Sequence, residues 1–401
     1  MKILIITPRI PYPPYRGDKL KIFNISKILS QNNEITILTF KRNSSQNPEI
    51  SELKKLGFNI ITVNLSAIES LFRAFLAVFT DTPFQVAWYK SASMKKMVEK
   101  ISGEYEVVYY HLIRTAQYLP DSNNSMPLNV LDFTDAVSLY LTRLVAAEKN
   151  YIKRFFIKIE KKRISAYEKI AEKFDTLFIC SAIDKKFLES SGLKVNIELL
   201  NNGIDTNYFS SENNGYEKNR IVFTGNMPYY PNHDAALYFA EEIFPLITNE
   251  FPDAKFYIVG QKPSLRLRVL ASEKIIVTGF VQDIRREYLK SAVNVAPMRF
   301  GAGTLNKIIE SIALAVPVVA STIAVQGLPD SLKKFILVAD DPVTFAEKVK
   351  EVLKDDFKYR NQMKEGQKMI REILSWEKIV SGFESSLKEK LVVIKKYKRL
   401  E

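Results

Sequence analysis

Short β-rich runs alternate with helical patterns along this chain, and the alternation restricts its fold more than any other feature. KILIIT (2–7) precedes a helical stretch at about 18–31, and EITILTF (34–40), FNIITV (58–63), YEVVYY (105–110), NVLDF (129–133) and DTLFIC (175–180) follow. Such spacing marks βαβ units and therefore parallel sheets covered by helices. The segment 201–219, NNGIDTNYFSSENNGYEKN, is poor in core residues and reads as an interdomain linker. Alternation then restarts with RIVFTG (220–225), KFYIVG (255–260), KIIVTGF (274–280), VNVAP (293–297), VPVVAS (316–321) and FILVAD (335–340). At 401 residues the chain exceeds what one core serves. The expectation is an α/β protein of two Rossmann-like, doubly wound domains facing across a cleft. The first spans 1–200, with a C-terminal helix at 376–401 packing back on it, and the second spans 201–375.

In open parallel sheets ligands gather at the carboxyl ends of strands. The most informative such end is GAGTLNKIIESIALAVPVVAS (301–321), which follows VNVAPMRF. Gly301 and Gly303 allow close backbone approach. A helix starting near Thr304 to Asn306 offers unpaired N–H groups to an anion. Lys307 in its first turn adds a full charge, and Glu310 shares the face of Lys307. Phosphate at Lys307 and ribose hydroxyls at Glu310 describe a nucleoside diphosphate. An exposed i,i+3 ion pair explains the same spacing. The stretch is neither a Walker A motif nor GxGxxG. Gly225 and Asn226 in FTGNMPYYPNHDA (223–235) stand where backbone meets phosphate, or form a plain turn with Asn232 or His233 near the next helix start. Gly17 in PYPPYRGDK (11–19) has the same two readings.

The two histidines are His111 and His233. His111 ends a predicted strand, where α/β sheets put functional groups, although a lone histidine is commonly structural. His233 reads as a helix-start residue. No H-x-E, C-x-x-C or G-x-S-x-G pattern is present, which argues against a zinc site or a serine-hydrolase elbow. Asp132 and Asp135 in LDFTDAV suit a metal, or more readily a turn or an acceptor site. The single cysteine, Cys180, sits in an apolar run and reads as a buried inert thiol.

The amino terminus lacks a secretory h-region, and no run reaches the roughly 20 apolar residues of a membrane span, so a cytoplasmic location is expected. The net charge of +13 concentrates at KRFFIKIEKKR (153–163) and KKYKR (395–399). Interleaved bulky and basic residues suit a helix on an anionic membrane surface, and equally a solvated helix face with a frayed tail. The helical region at 141–163 and SLFRAFLAVF (70–79) are the lipid-contact candidates, the latter also reading as a core or interdomain helix. No nucleic-acid-binding pattern appears, so no nucleic acid is expected as partner.

Several stretches together resemble the GT-B glycosyltransferases of the family-4 type, the bacterial sugar transferases of exopolysaccharide and surface-glycan synthesis. They are PRIPYPPYRGDK, YEVVYYHLIRTAQYL, LDFTDAVSLYLTR, NNGIDTNYF, FTGNMPYYPNHDAALYF, VTGFVQDIRREYLKSA, VNVAPMRFGAGTLNKIIESIALAVPVVAST and SWEKI. The resemblance implies a nucleotide-sugar donor, UDP- or GDP-linked, held mainly by the second domain, and a glycan or lipid-diphosphate-linked acceptor against the first. It implies no cofactor, no metal, and retention at the anomeric carbon. Lys307 and the loop 301–304 would hold the diphosphate, Glu310 the ribose, and Phe280 and Val281 the base. Arg299 would be a second cation, His111 would lie near the transferred sugar, and Gly17 would belong to the loop that closes on the donor. The chain departs from the family's E-x7-E motif at Ala302, where the first Glu would contact the donor sugar. A non-catalytic nucleotide-sugar-binding protein is the competing class. A sugar-nucleotide epimerase and a dinucleotide oxidoreductase rank below it.

Overall fold

The structure is a computed structural model that describes residues 1–121, 127–210, 215–301 and 303–397. Ala302, part of the 201–219 segment and the end of KKYKR lie outside the described residues. The chain divides into two compact units, 1–201 with 376–401, and 202–375.

The first unit is built on seven parallel strands: β1 Lys2–Thr7, β2 Glu34–Lys41, β3 Asn59–Asn64, β4 Val107–His111, β5 Leu128–Thr134, β6 Thr176–Ile179 and β7 Ile197–Leu199. Their order is β3-β2-β1-β4-β5-β6-β7. The chain therefore runs outward from β1 to β3, then returns to place β4 on the other side of β1. Strand β7 has only three residues, too short for the alternation pattern to register. Both faces of the sheet are covered, which is why its strands read as continuous apolar runs. The helix Trp376–Tyr397 seals one face through Trp376, Val380, Phe383, Leu387 and Leu391, all buried at helical spacing. Phe383 meets Phe178 and Tyr109 edge-on at 5.0 and 5.6 Å.

The second unit holds six parallel strands: β8 Glu217–Thr224, β9 Lys255–Val259, β10 Ile275–Gly279, β11 Ser291–Ala296, β12 Val318–Ala320 and β13 Leu337–Val338. Their order, β10-β9-β8-β11-β12-β13, repeats the same reversal between β8 and β11. Strand β8 begins inside the stretch read from sequence as linker, and Asn202 and Ile204 are buried in this unit.

The helical region 136–173 breaks into Val137–Ala147 and Tyr151–Tyr167. Asn150 restarts the second helix, its side-chain oxygen accepting from the N–H groups of Ile152 and Lys153 at 3.0 Å. Ser66 likewise caps the helix Ala67–Leu76, which contains most of SLFRAFLAVF. That helix is not a core element, because Ile68, Phe72 and Phe75 are exposed. None of the described helices is long and apolar enough to cross a membrane.

Candidate functional site

Each sheet reverses its winding at one place, and the loops that leave the carboxyl ends of the two flanking strands form a crevice there. In the second unit those strands are β8 and β11. The β8 loop carries Gly225 and Asn226. A side chain at Gly225 would put its Cβ 2.8 Å from the Cγ of Asn232, so glycine is needed for Asn232 to fold back over the loop. Asn232, in the helix Tyr230–Tyr238, donates to the Asn226 carbonyl at 3.1 Å and accepts from the Lys307 ammonium at 2.9 Å. One amide side chain thus links the β8 loop to the helix after β11.

The β11 loop is fixed from two sides. Gly303 adopts a φ of +74°. Its carbonyl lies where a Cβ on Gly327 would approach to 2.1 Å. The Thr304 hydroxyl donates to the Gly327 carbonyl at 2.9 Å. The Asn202 amide reaches the Asn306 side-chain oxygen at 3.2 Å. The helix that follows, Asn306–Ala313, has no side-chain cap on its first turn. Its amino-terminal dipole therefore faces the loop rather than an internal acceptor.

Lys307 is buried, and its Nζ stands 3.8 Å from the centre of the Phe223 ring. Burial pushes its ammonium down to about 7, against the pull of the Glu310 carboxylate. Glu310 takes a separate partner. Its Oε2 accepts from the Tyr288 hydroxyl at 2.8 Å, and Tyr288 shares a 2.5 Å hydrogen bond with Thr224. Burial pushes the Glu310 carboxyl up, while the Tyr288 bond and Lys307 hold it down. The exposed ion-pair reading of Lys307 and Glu310 does not describe this site. A desolvated cation with a neutral amide and a ring as neighbours is poised for an external anion.

Arg299 pairs with a carboxylate of the helix after β8. It forms a two-pronged bond to Asp234, at 2.9 and 2.5 Å, and packs 4.8 Å above Tyr238. With Ser321, Thr322 and Asp340 it lines a cavity of about 400 Å³. Gly301 has a φ of +156°. Phe280 is exposed beyond the end of edge strand β10, and Val281 packs partly buried against the small core cluster that includes Val222, Tyr288 and Leu314.

In the first unit the reversal lies between β1 and β4. Gly17 opens the helix Gly17–Leu29, and a Cβ there would meet nothing within 4 Å, so no steric demand for glycine exists. His111 ends β4 and is buried. Its Nε2 lies 3.0 Å from the Asp18 carbonyl, its Nδ1 3.7 Å from Asp132, and its ring stacks on Tyr109. Asp132 also receives Lys21 at 2.9 Å, the Tyr109 hydroxyl at 2.5 Å and the Thr134 N–H at 2.6 Å. Burial disfavours its charge, but Lys21, His111 and Tyr109 outweigh that and hold its carboxyl well below the usual carboxylate range. Asp135 is pushed the other way, to about 7, by burial and the nearby Asp184, and it accepts from the Cys180 thiol at 3.2 Å. No group of three potential metal ligands occurs among the described residues.

Asn202, Tyr288, Phe223 and Asn294 escaped the sequence reading. The aromatics looked like ordinary core, and Asn202 stood in an apparent linker. Asn294 carried a usable signal, since a polar residue in the apolar run VNVAP needs a bonding partner when buried. Its amide donates to the Lys307 carbonyl at 3.2 Å.

Residues 218–355, which contain the crevice and its loops, match the family described as glycosyl transferases group 1. The whole chain superposes on sucrose-phosphate synthase from Thermosynechococcus elongatus with a TM-score of 0.71, at 14% identity, covering 98% of this chain and 100% of the other. The Anabaena HepE protein in complex with UDP-glucose superposes with a TM-score of 0.69, at 13% identity, covering 97% and 100%. Staphylococcus aureus TarM, solved with Fondaparinux, alpha-GlcNAc-glycerol and UDP, reaches 0.70 at 12% identity, covering 96% and 99%. A Klebsiella pneumoniae sequence, an uncharacterized 44.6 kDa protein in the cps region, is 22% identical over 375 residues, 87% of this chain and 90% of the relative. Residues 218–355 are a glycosyltransferase group 1 domain, carried in a chain of the GT-B fold.

Proposed function

We propose that this protein transfers a sugar from a nucleoside-diphosphate sugar, a UDP-sugar before a GDP-sugar, to a glycan or lipid-diphosphate-linked acceptor in cell-surface polysaccharide synthesis. The observation that carries the reading is Lys307, a buried cation beside an uncapped helix start, with Glu310 one turn along. The UDP and UDP-glucose held by the structural neighbours and the cps-region relative support it. Diphosphate at Lys307 and the helix terminus would be stabilised as its charge develops during departure. Preorganised donors of this kind supply a few kcal/mol each. With that charge supplied by the chain, the transfer proceeds without a metal; retention at the anomeric carbon follows from the family resemblance alone. The Glu310 carboxylate takes the ribose hydroxyls, and Phe280 and Val281 stand at the base. His111, whose Nε2 meets the Asp18 carbonyl, stands near the transferred sugar.

Thermal stability against UDP-, GDP- and ADP-sugars and the free nucleotides tests this. Ligand at one hundred times its dissociation constant stabilises by roughly 2.7 kcal/mol. A shift with the uridine series, followed by sugar release or transfer in an assay, is expected. No shift with any nucleotide would overturn the donor site. Binding without turnover would instead assign a non-catalytic nucleotide-sugar-binding protein.

The same reading places the enzyme in the cytoplasm, on the inner membrane face. Arg163 of the helix Tyr151–Tyr167 bonds the Val78 carbonyl, which follows the helix Ala67–Leu76, at 2.9 Å. The segment 67–79 exposes Ile68, Leu71, Phe72, Phe75 and Phe79, and the helix Tyr151–Tyr167 exposes Tyr151, Ile152, Phe155 and Phe156, with Phe79 75% and Tyr151 84% exposed. Lys153, Arg154, Lys158, Lys161 and Lys162 lie on the same helix. Apolar side chains inserted among headgroups, ringed by cations, fit an anionic bilayer. Sedimentation with anionic vesicles is expected, reduced with neutral ones and lost in Phe155→Asp with Phe75→Asp. Equal recovery in the supernatant for both vesicle types would remove the membrane from the proposal.

A further inference from the structure

The crevice of the second unit has a counterpart in the first, and the two are charged differently. Where β1 and β4 part, Arg9 leaves the end of β1, Arg16 and Asp18 sit at the start of the Gly17–Leu29 helix, and Arg114 follows β4. Asp18 is the shared carboxylate: it bonds Arg9 and, at 3.2 Å, Arg16. Arg9, Arg16 and Arg114, with His111, all pull its carboxyl down, to about 2, although burial opposes them. Three guanidiniums against one carboxylate leave two positive charges in a partly desolvated place.

The arginines are arranged round an aromatic ring. The Arg9 and Arg114 guanidinium carbons lie 5.9 and 5.5 Å from the centre of Tyr89. The Tyr89 ring is buried, both guanidiniums interact with its oxygen, and the buried Arg114 Nε has no hydrogen-bond partner. A buried donor left unpaired costs about 1–3 kcal/mol. That unpaired donor, beside a surplus of two positive charges, describes a site lacking its acceptor atoms. Guanidinium forks match phosphate oxygens in pairs. A carboxylate would neutralise half of the surplus, whereas a phosphate dianion or a diphosphate neutralises all of it.

We infer that the crevice formed by Arg9, Arg16, Arg114 and Tyr89 binds the phosphate of a phosphorylated acceptor, as a second anion site separate from the one at Lys307. The inference rests on the glycosyltransferase reading for the word acceptor, but the anion site itself does not. It makes the acceptor a phosphate-bearing molecule, a lipid diphosphate or a phosphorylated sugar, rather than a neutral glycan.

The test uses the full chain saturated with UDP, so that the Lys307 site is filled, and titrates inorganic pyrophosphate by calorimetry. Pyrophosphate is expected to bind the UDP complex. Arg9→Gln and Arg114→Gln should each weaken that binding at least tenfold while leaving UDP affinity within twofold. Arg9→Lys, which keeps the charge, should weaken it less than Arg9→Gln. Lys307→Ala should lose UDP and keep pyrophosphate. Arg9 is half-buried, so Arg9→Gln stays informative if Arg114→Gln fails to fold. Failure of UDP to bind wild type would strike the donor reading alone. Pyrophosphate excluded by UDP, or binding that survives both Gln substitutions, would overturn the second site. Farnesyl diphosphate binding tighter than pyrophosphate would identify a lipid diphosphate, and glucose 1-phosphate binding tighter than both would identify a sugar phosphate.

Discussion

Lys307→Met is expected to make the protein more stable and less able to bind nucleotide. The Lys307 ammonium is buried, and its partners are a neutral amide, Asn232, and the face of Phe223. Replacing a lone buried charge with an apolar side chain of similar length removes a desolvation penalty of several kcal/mol, which outweighs the about 1 kcal/mol of the lost bond to Asn232. The same change removes a charge-assisted bond to the diphosphate worth about 1.5–3 kcal/mol, a loss of roughly ten- to hundredfold in affinity. Opposite signs in melting temperature and in UDP affinity separate this role from a structural one. The pH dependence carries the same signature. The native group titrates at about 7, far below the ordinary lysine value. Between those values the unfolded chain binds more protons, so this group makes ligand-free stability rise with pH, by at most about 1.4 kcal/mol per unit. Nucleotide binding needs the ammonium, so affinity should fall as pH climbs above about 7. Both slopes should vanish in Lys307→Met, measured by calorimetry and thermal melts at pH 6.5 and 9. Affinity that stays flat with pH in the wild type would dismiss the titrating lysine as the anion ligand.

Asp132→Asn should strongly destabilise the first unit. It leaves the Lys21 ammonium, at 2.9 Å from Asp132, buried without its counter-charge. Breaking a buried pair from one side costs about 3–5 kcal/mol, which corresponds to a fall of roughly 10 °C in melting temperature for a unit of this size. Adding Lys21→Met should recover most of the loss, because the stranded charge goes with it. The native Asp132 carboxyl lies below its unfolded value. Its stabilising contribution is therefore complete above the ordinary carboxylate range and is lost as pH falls through the native value. Asp132→Asn should accordingly flatten the acid limb of the stability curve. A double variant no more stable than Asp132→Asn would mean that the charge pair is not what Asp132 supports.

The loop-to-helix transition at 301–307 was legible because three local features coincide there: glycines, a helix start and a lysine in the first turn. So was the layered architecture, since strands covered on both faces must be apolar throughout. Asn232 was visible only as a helix-start residue, although it is what joins the β8 loop to Lys307. Arg299 was legible as a loop cation, but its pairing with Asp234 depends on a residue 65 positions away. The arginines at 9, 16 and 114 lie in two stretches that carried the resemblance, but nothing local tied the two stretches to each other. They come together because the sheet places β4 beside β1.

The amino-acid sequence by itself determined the element types, the two-fold repetition of the α/β pattern and the anion-ready chemistry of the Lys307 loop. All three follow from local periodicity and backbone geometry, which act over a few residues. Tertiary structure alone decided which charges are paired and which are stranded. It buried Lys307 against Phe223 and paired Arg299 with Asp234, and it gathered three arginines round a single carboxylate. The reason is that the energy of a charge depends on its desolvation and on its nearest opposite charge, and both are set by residues that meet only when distant strands pair.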